Sequence, residues 1–285
     1  VTVTNDRLTR PAGLRRRVFG HHRVTYLPDG VALLDARRWL PDADAQVWRQ
    51  FSALVDPDGY LVASVGALLI EYGNRAMLID AGFGPLAVPT PVGQLRGGQL
   101  IDSLAAAGKS VNDIDLVALT HLHMDHIGWL WQAHTDTTIN IFAGIPILIG
   151  ATEWDHRELA VADGTPPEVL ATFETQIRPV PDGEFFPGVR ALPTPGHSLG
   201  HTSYLLDSLG ERLVVFGDAL TTPIQITHPR LTSAADDDPA QSRDSAARLL
   251  RELAQPHTRG FGMHFADIQF GRVVDHEHTA HWQPE

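Results

Sequence analysis

Nine residues, Thr120-His121-Leu122-His123-Met124-Asp125-His126-Ile127-Gly128, restrict this chain more than any other feature. They place three imidazoles and a carboxylate directly behind the apolar run Leu116-Val117-Ala118-Leu119. That run reads as a buried strand, so the polar cluster is predicted at a strand's carboxyl end. His121 and His123 are two apart, and in extended chain both rings leave the same face. Asp125 and His126 are adjacent where the chain turns towards a helix, and they aim at a second point nearby. Four donors divided two and two suit two metal ions. Imidazole with carboxylate suits zinc, with iron and manganese as the other candidates. Polar residues gather at many strand ends without such a purpose, but this register of scarce residues is rare at ordinary usage.

Composition excludes several classes. The chain has 285 residues, 43% of them hydrophobic, which supports one large core and a single domain over 1–285 with no linker. It has no cysteine, so disulfides, thiolate metal sites and cysteine nucleophiles are ruled out. A formal charge of -12 argues against nucleic-acid and anionic-membrane partners, which need a positive face. No stretch is long and apolar enough to span a bilayer. Arg7, Arg10, Arg15, Arg16, Arg17 and Arg23 make residues 1–23 a basic arm, but no apolar segment follows as in a secretory signal. The expectation is a cytoplasmic protein whose arm is solvated or forms an oligomer contact, with a homodimer left open.

Hairpin signals flank the central motif. Tyr60 to Ile70 turns at Tyr72-Gly73-Asn74 and returns through Ala76 to Ile79, ending in Asp80-Ala81-Gly82-Phe83-Gly84. An acid at the tip of a buried strand is either a turn residue or part of a site. Pro85 to Gly98 lacks periodicity and is expected to be a mobile loop over that site. Trp129 and Trp131 serve core packing or a substrate pocket. Helices are expected over Gln99–Ala107, Glu153–Ala160, Pro167–Gln176 and about Ala240–Ala254. Asp236-Asp237-Asp238-Pro239 reads as a solvated cap of the last of these rather than a calcium site. A second hairpin, Tyr204–Leu206 with Leu213–Phe216, ends in Gly217-Asp218, the same strand-tip acid as at Asp80, and hints at a duplication. His197 and His201 stand on the loop Pro195-Gly196-His197-Ser198-Leu199-Gly200-His201, and His264 ends a short strand from Gly260. His276, His278 and His281 read as surface residues. Hairpins with helices outside imply an α/β (α+β) fold, two mixed β-sheets face to face with helices on both outer faces, a four-layer αββα sandwich.

His121-Leu122-His123-Met124-Asp125-His126, then His197, Asp218 and His264, with Asp80 upstream, resembles the metallo-β-lactamase superfamily of binuclear metal hydrolases. The likeness runs from about Tyr60 to about His264 and implies that same αββα sandwich with two divalent ions at one edge. Carried over residue by residue, it makes His121, His123 and His197 ligands of one ion, and Asp125, His126 and His264 ligands of the other. Asp218 would bridge them. Asp80 would orient a ligand histidine. The presence of Asp218 and the absence of cysteine point away from true β-lactamases. The chain is most similar to N-acyl-homoserine lactonases and their methyl-parathion-hydrolase-like relatives. Those lactonases carry a tyrosine three residues after the bridging acid, where this chain has Thr221. A shorter, less acidic hydroxyl puts the same substrate specificity in question.

The resemblance implies metal-assisted hydrolysis of an ester-type bond in a small molecule, most simply a lactone, with Asp125 and Asp218 as the catalytic acids. Phe83, Trp129, Trp131 and Thr221 would line the pocket. Thioester, organophosphate or carbamate hydrolysis and a biosynthetic cyclase are alternatives on the same site. A non-catalytic metal-binding protein is the alternative of another class.

Overall fold

The computed structural model describes residues 5–134, 138–277 and 279–285. Runs such as Leu68-Leu69-Ile70 and Met77-Leu78-Ile79 are apolar at every position, while successive side chains in a strand face opposite ways. Such strands need cover on both faces. One sheet contains β1 (Arg15–Phe19), β2 (His22–Asp35), β3 (Tyr60–Tyr72), β4 (Arg75–Ile79), β5 (Ala87–Thr90), β6 (Gly93–Arg96), β7 (Leu116–Ala118), β8 (Ile147–Ile149) and β9 (Ile177–Pro179). Their order is β5-β6-β2-β3-β4-β7-β8-β9, with β1 also paired to β2. The second sheet runs in sequence order through β10 (Glu184–Phe186), β11 (Val189–Pro193), β12 (Thr202–Ser208), β13 (Glu211–Val215), β14 (Thr258–Phe261), β15 (Phe270–His276) and β16 (Thr279–Pro284).

Alternate residues separate the layers. Leu68, Ile70, Met77 and Ile79 meet Tyr204, Leu206, Leu213 and Val215 between the sheets. Leu69, Leu78 and Val117 face outward onto Leu100, Leu104, Val169 and Phe173 of the helices Leu100–Ala106 and Pro167–Phe173. On the far side, Leu205 and Val214 pack with Ala246, Leu249 and Leu253 of the helix Pro239–Leu253. The result is the expected αββα layering.

The two sheets share a connection pattern that positions the site. In one, β3 and β4 are antiparallel and β4 runs parallel to β7. In the other, β12 and β13 are antiparallel and β13 runs parallel to β14. Parallel neighbours bring their carboxyl ends to one edge. Asp80 follows β4 and the histidine motif follows β7; Asp218 follows β13 and His264 follows β14. The repeated pairing of hairpin and strand-tip acid is therefore a shared topology.

Several local expectations change. The basic segment is not a solvated arm over its described length: Arg15–Phe19 is β1, and Arg7, Arg10 and Arg15 converge on Asp267. The Asp267 carboxylate is buried and needs neutralising partners. Residues 1–4 lie outside the described residues. Pro85–Gly98 is a hairpin, not an irregular loop: β5 pairs with β6, and β6 pairs with β2. The helix expected from Glu153 is two shorter ones, Ala151–Asp155 and Arg157–Ala162, meeting at His156. His276 and His281 lie on β15 and β16, and His278 is outside the described residues. Among the described residues no helix is long and apolar enough to cross a membrane.

Candidate metal centre

The motif follows the end of β7 at Ala118, is extended at His123, and enters a short helix, Met124–Ile127. His121 and His126 are fully buried, and their ring centroids lie 4.2 Å apart. The loop after β11 brings His197 beside them, with its Nε2 3.1 Å from His123 Nδ1. Asp218 enters from the other sheet. Its Oδ2 is 3.4 Å from His197 Nε2, while its Oδ1 is 3.4 Å from His126 Nε2 and 3.1 Å from His264 Nε2. The Asp125 carboxylate lies 3.5 Å from His264 Nε2 and 3.7 Å from His126 Nε2. All seven sequence candidates thus meet at one edge between the sheets.

The rest of each ring is held from behind. His126 Nδ1 donates to Asp80 Oδ2 at 2.8 Å, and His197 Nδ1 donates to Asp236 Oδ1 at 2.9 Å. His264 Nδ1 donates to the Ser64 carbonyl at 2.8 Å. His121 Nδ1 meets the Thr120 hydroxyl, which itself donates to Asp80. An acceptor behind each Nδ1 fixes the proton there and leaves Nε2 with a free lone pair facing the centre. His123 is the reverse: Nδ1 faces the centre, and Nε2 lies 3.6 Å from the Asp163 carboxylate. Asp80 adopts a left-handed backbone, φ 61°, a conformation aspartate tolerates better than most residues, and this turns its carboxylate onto both His126 and Thr120.

Buried polar atoms normally have partners. Here His121 Nε2, His126 Nε2 and Asp218 Oδ1 are buried and accept or donate no hydrogen bond. Three groups of donor atoms, His121/His123/His197, His121/His126/Asp218 and Asp125/His126/His264, each lie within 4.8 Å of one another. Imidazole nitrogens and carboxylates with spare lone pairs are the donor set of zinc and similar divalent ions, so the residues fit such ions. Electrostatics agree. Burial would lower the His126, His197 and His264 pKa values, yet the carboxylates Asp218, Asp80, Asp236 and Asp125 around them outweigh it and hold all three above the ordinary value. Burial would likewise raise Asp218, but His264 and His126 hold it well below the usual carboxylate range. The cluster therefore stores positive charge that a cation could replace. His121, by contrast, is pushed well below the ordinary value by burial and by its histidine neighbours.

Other residues contribute that the sequence reading did not single out. Asp236 is not a solvated cap: its side chain is buried on His197, and Asp238 caps the helix instead. Glu153 accepts from Leu122 N, Ser198 Oγ and Gly200 N, so one buried carboxylate joins the two ligand-bearing segments. His201 is buried and neutral, its pKa lowered to about 3 by burial.

A cavity of about 840 Å3 opens onto His123, Asp125, His197, Asp218 and His264. Its walls are largely apolar: Leu34, Trp39, Phe83, Leu86, Val92, Leu95, Met124, Trp131 and Val169. The β5–β6 hairpin supplies Val88 to Gln94 along one side. Among the described residues the lining holds no lysine or arginine. Phe83 and Trp131 are among the residues that line it. Trp129 does not: it packs in the outer core, with its indole N–H donated to Asp29. Thr221 does not reach this cavity either, because its hydroxyl accepts from Trp39 Nε1 and donates to Gln225 Oε1 beneath the wall.

Comparison with known proteins agrees with this arrangement. The profile of the metallo-beta-lactamase superfamily matches residues 63–259, and the chain belongs to that superfamily. It is 26% identical over 174 residues to the N-acyl homoserine lactonase AiiA of Bacillus thuringiensis subsp. kurstaki, spanning 55% of this chain and 64% of that enzyme. It is 28% identical over 218 residues to metallo-beta-lactamase domain-containing protein 1 of Xenopus laevis, 75% of this chain and 81% of that protein. Among solved structures, AidC, a dizinc quorum-quenching lactonase in complex with a product, superposes with a TM-score of 0.81 over 96% of this chain and 98% of its own, at 21% identity. At that identity the likeness is one of fold.

Proposed function

We propose that this chain is a binuclear-metal hydrolase that opens a lactone, or a closely related ester, bearing an apolar arm. The observation that carries the reading is the set of partnerless buried donor atoms, Asp218 Oδ1 among them, clustered behind an apolar cavity that Asp218 lines. His121, His123 and His197 are assigned to one ion, Asp125, His126 and His264 to the other, and Asp218 to both, its two oxygens facing different histidines. When bound, two divalent ions, zinc being the best match, supply Lewis acidity and a water acidified to a pKa of about 7.

The remaining work falls to the chain. Asp80, Asp236, Thr120 and the Ser64 carbonyl hold protons on the outer nitrogens, so the inner nitrogens are the ones that give up their protons to an ion. Asp125 borders the cavity and is placed to take the proton released by the attacking water and pass it to the departing alkoxide oxygen. The apolar walls exclude water from the acyl arm and favour its burial at about 25 cal/mol per Å2. The lack of a lysine or arginine in the lining favours a neutral substrate over an anionic one. Thr221 is hydrogen-bonded away from the cavity, so it takes no part in polarising the carbonyl.

The test is turnover of lactones of graded acyl length by metal-loaded protein, beside thioester and phosphotriester substrates and a chelated control. Lactone opening that disappears with the metal supports the reading. Two loaded ions without hydrolysis of any ester-type substrate would overturn it.

A further inference from the structure

His201 is the one histidine of the Pro195–His201 loop that contributes no donor to the centre, yet it is fully buried beneath it. Its Nε2 accepts the backbone N–H of Asp218 at 3.0 Å. A backbone N–H can only donate, so Nε2 carries no proton and the neutral ring bears its proton on Nδ1. Nδ1 then donates to Thr194 Oγ1 at 2.9 Å. Thr194 donates to Ser203 Oγ at 2.8 Å, and Ser203 donates to the Phe216 carbonyl at 3.3 Å. Every hydrogen in this chain runs one way, from Asp218 N to a carbonyl that cannot reverse it. The chain begins and ends on the segment that carries Asp218, clamping it on both sides.

The packing leaves the ring little alternative. A Cβ on Gly217 would lie 2.7 Å from His201 Nε2, and Gly217 has φ +50°, so glycine is required directly above the imidazole. The His201 centroid is 5.2 Å from that of His121. Asp218 must present Oδ2 to His197 and Oδ1 to His126 and His264, so a tilt of its peptide plane would misdirect both oxygens at once.

We propose that His201 is a positioning residue that fixes the peptide plane of Asp218, and so the ability of this carboxylate to join two ions. It rests on the binuclear reading above. One loop then supplies a ligand, His197, and the support of the shared ligand four residues later.

The test compares His201→Leu, which fills space without an acceptor, with His201→Gln, whose amide oxygen can accept the Asp218 N–H. Each is loaded with manganese(II), and both stoichiometry and the electron-spin coupling between ions are measured. Wild type should bind two coupled ions. His201→Leu should bind the second ion roughly 10–100-fold more weakly and lose the coupling, in the range seen when an outer hydrogen-bond partner of a metal ligand is removed. His201→Gln should recover it. Should His201→Leu not fold, Thr194→Val against Thr194→Ser asks the same question one bond further along, with loss expected in the first and retention in the second. Unchanged coupling in His201→Leu or Thr194→Val overturns the proposal alone, as does equal loss in the Leu and Gln variants. Fewer than two ions in wild type overturns the binuclear reading and this proposal with it.

Discussion

Asp29 gives the sharpest stability prediction. It is fully buried. One carboxylate oxygen accepts from Phe83 N at 2.7 Å and Gly84 N at 3.1 Å. The other accepts from Gly98 N, Gln99 N, Leu100 N and Trp129 Nε1, at 2.8 to 3.0 Å. These donors flank the β5–β6 hairpin at both ends and open the helix Leu100–Ala106, so the carboxylate pins the base of a cavity wall. Asp29→Asn keeps the shape but sets an NH2 group against at least two N–H donors. Two lost bonds with their donors stranded cost about 1–3 kcal/mol each, and the other four lose about 1 kcal/mol each with the charge. The sum is roughly 6–10 kcal/mol, a large part of the ordinary stability of a domain. Thermal unfolding followed by circular dichroism should show a midpoint lower by at least about 10 °C. Metal content of the folded fraction should be unchanged, because no assigned ligand touches Asp29. A midpoint within 2 °C of wild type, or about 1 kcal/mol, would refute the reasoning.

Other outcomes follow from the same geometry. His123→Ala should hold no more than one ion by elemental analysis and lose over ~100-fold in lactone turnover, more than the loss of an outer partner causes; full turnover would reject its assignment. Asp236→Asn removes the charge behind His197 and should weaken metal binding by about 10–100-fold in a chelator competition titration. His126, His197 and His264 hold protons to higher pH than free imidazole, and those protons must leave before an ion binds. Affinity should therefore keep rising with pH above ~7.5, where an ordinary histidine of pKa about 6.5 has largely deprotonated; a flat profile there would contradict the assignment. Trp131 lines the cavity and its indole nitrogen has no hydrogen-bond partner, so Trp131→Ala should enlarge the pocket without stranding a donor. The kcat/KM ratio should shift towards longer acyl chains by roughly tenfold per added methylene.

The cluster assigned to the metal centre was legible in the sequence because coordination chemistry demands particular side chains, and few other roles put His121, His123, Asp125 and His126 so close together. The layering was legible because strands such as β3 and β4 are apolar on both faces. The supports were not. Ser64 contributes a carbonyl, which every residue has. Asp236 stands beside Asp238, which does cap a helix, and only the fold places one acid on His197 and the other on backbone N–H groups. Trp129 and Trp131 look alike in sequence, yet Asp29 draws one indole into the core and leaves the other in the cavity wall. The β5–β6 hairpin was hidden because two short strands, each carrying a glycine or a proline, take their place from β2, and partners such as Leu33 and Gln94, 61 residues apart, are neighbours only in space.

The most direct measurement is anomalous diffraction at the zinc edge from crystals of zinc-loaded protein. Two peaks about 3.5–4 Å apart are expected, one among His121, His123 and His197, the other among Asp125, His126 and His264, with Asp218 between them. A single peak, or ions bound away from Asp218, would contradict the binuclear centre.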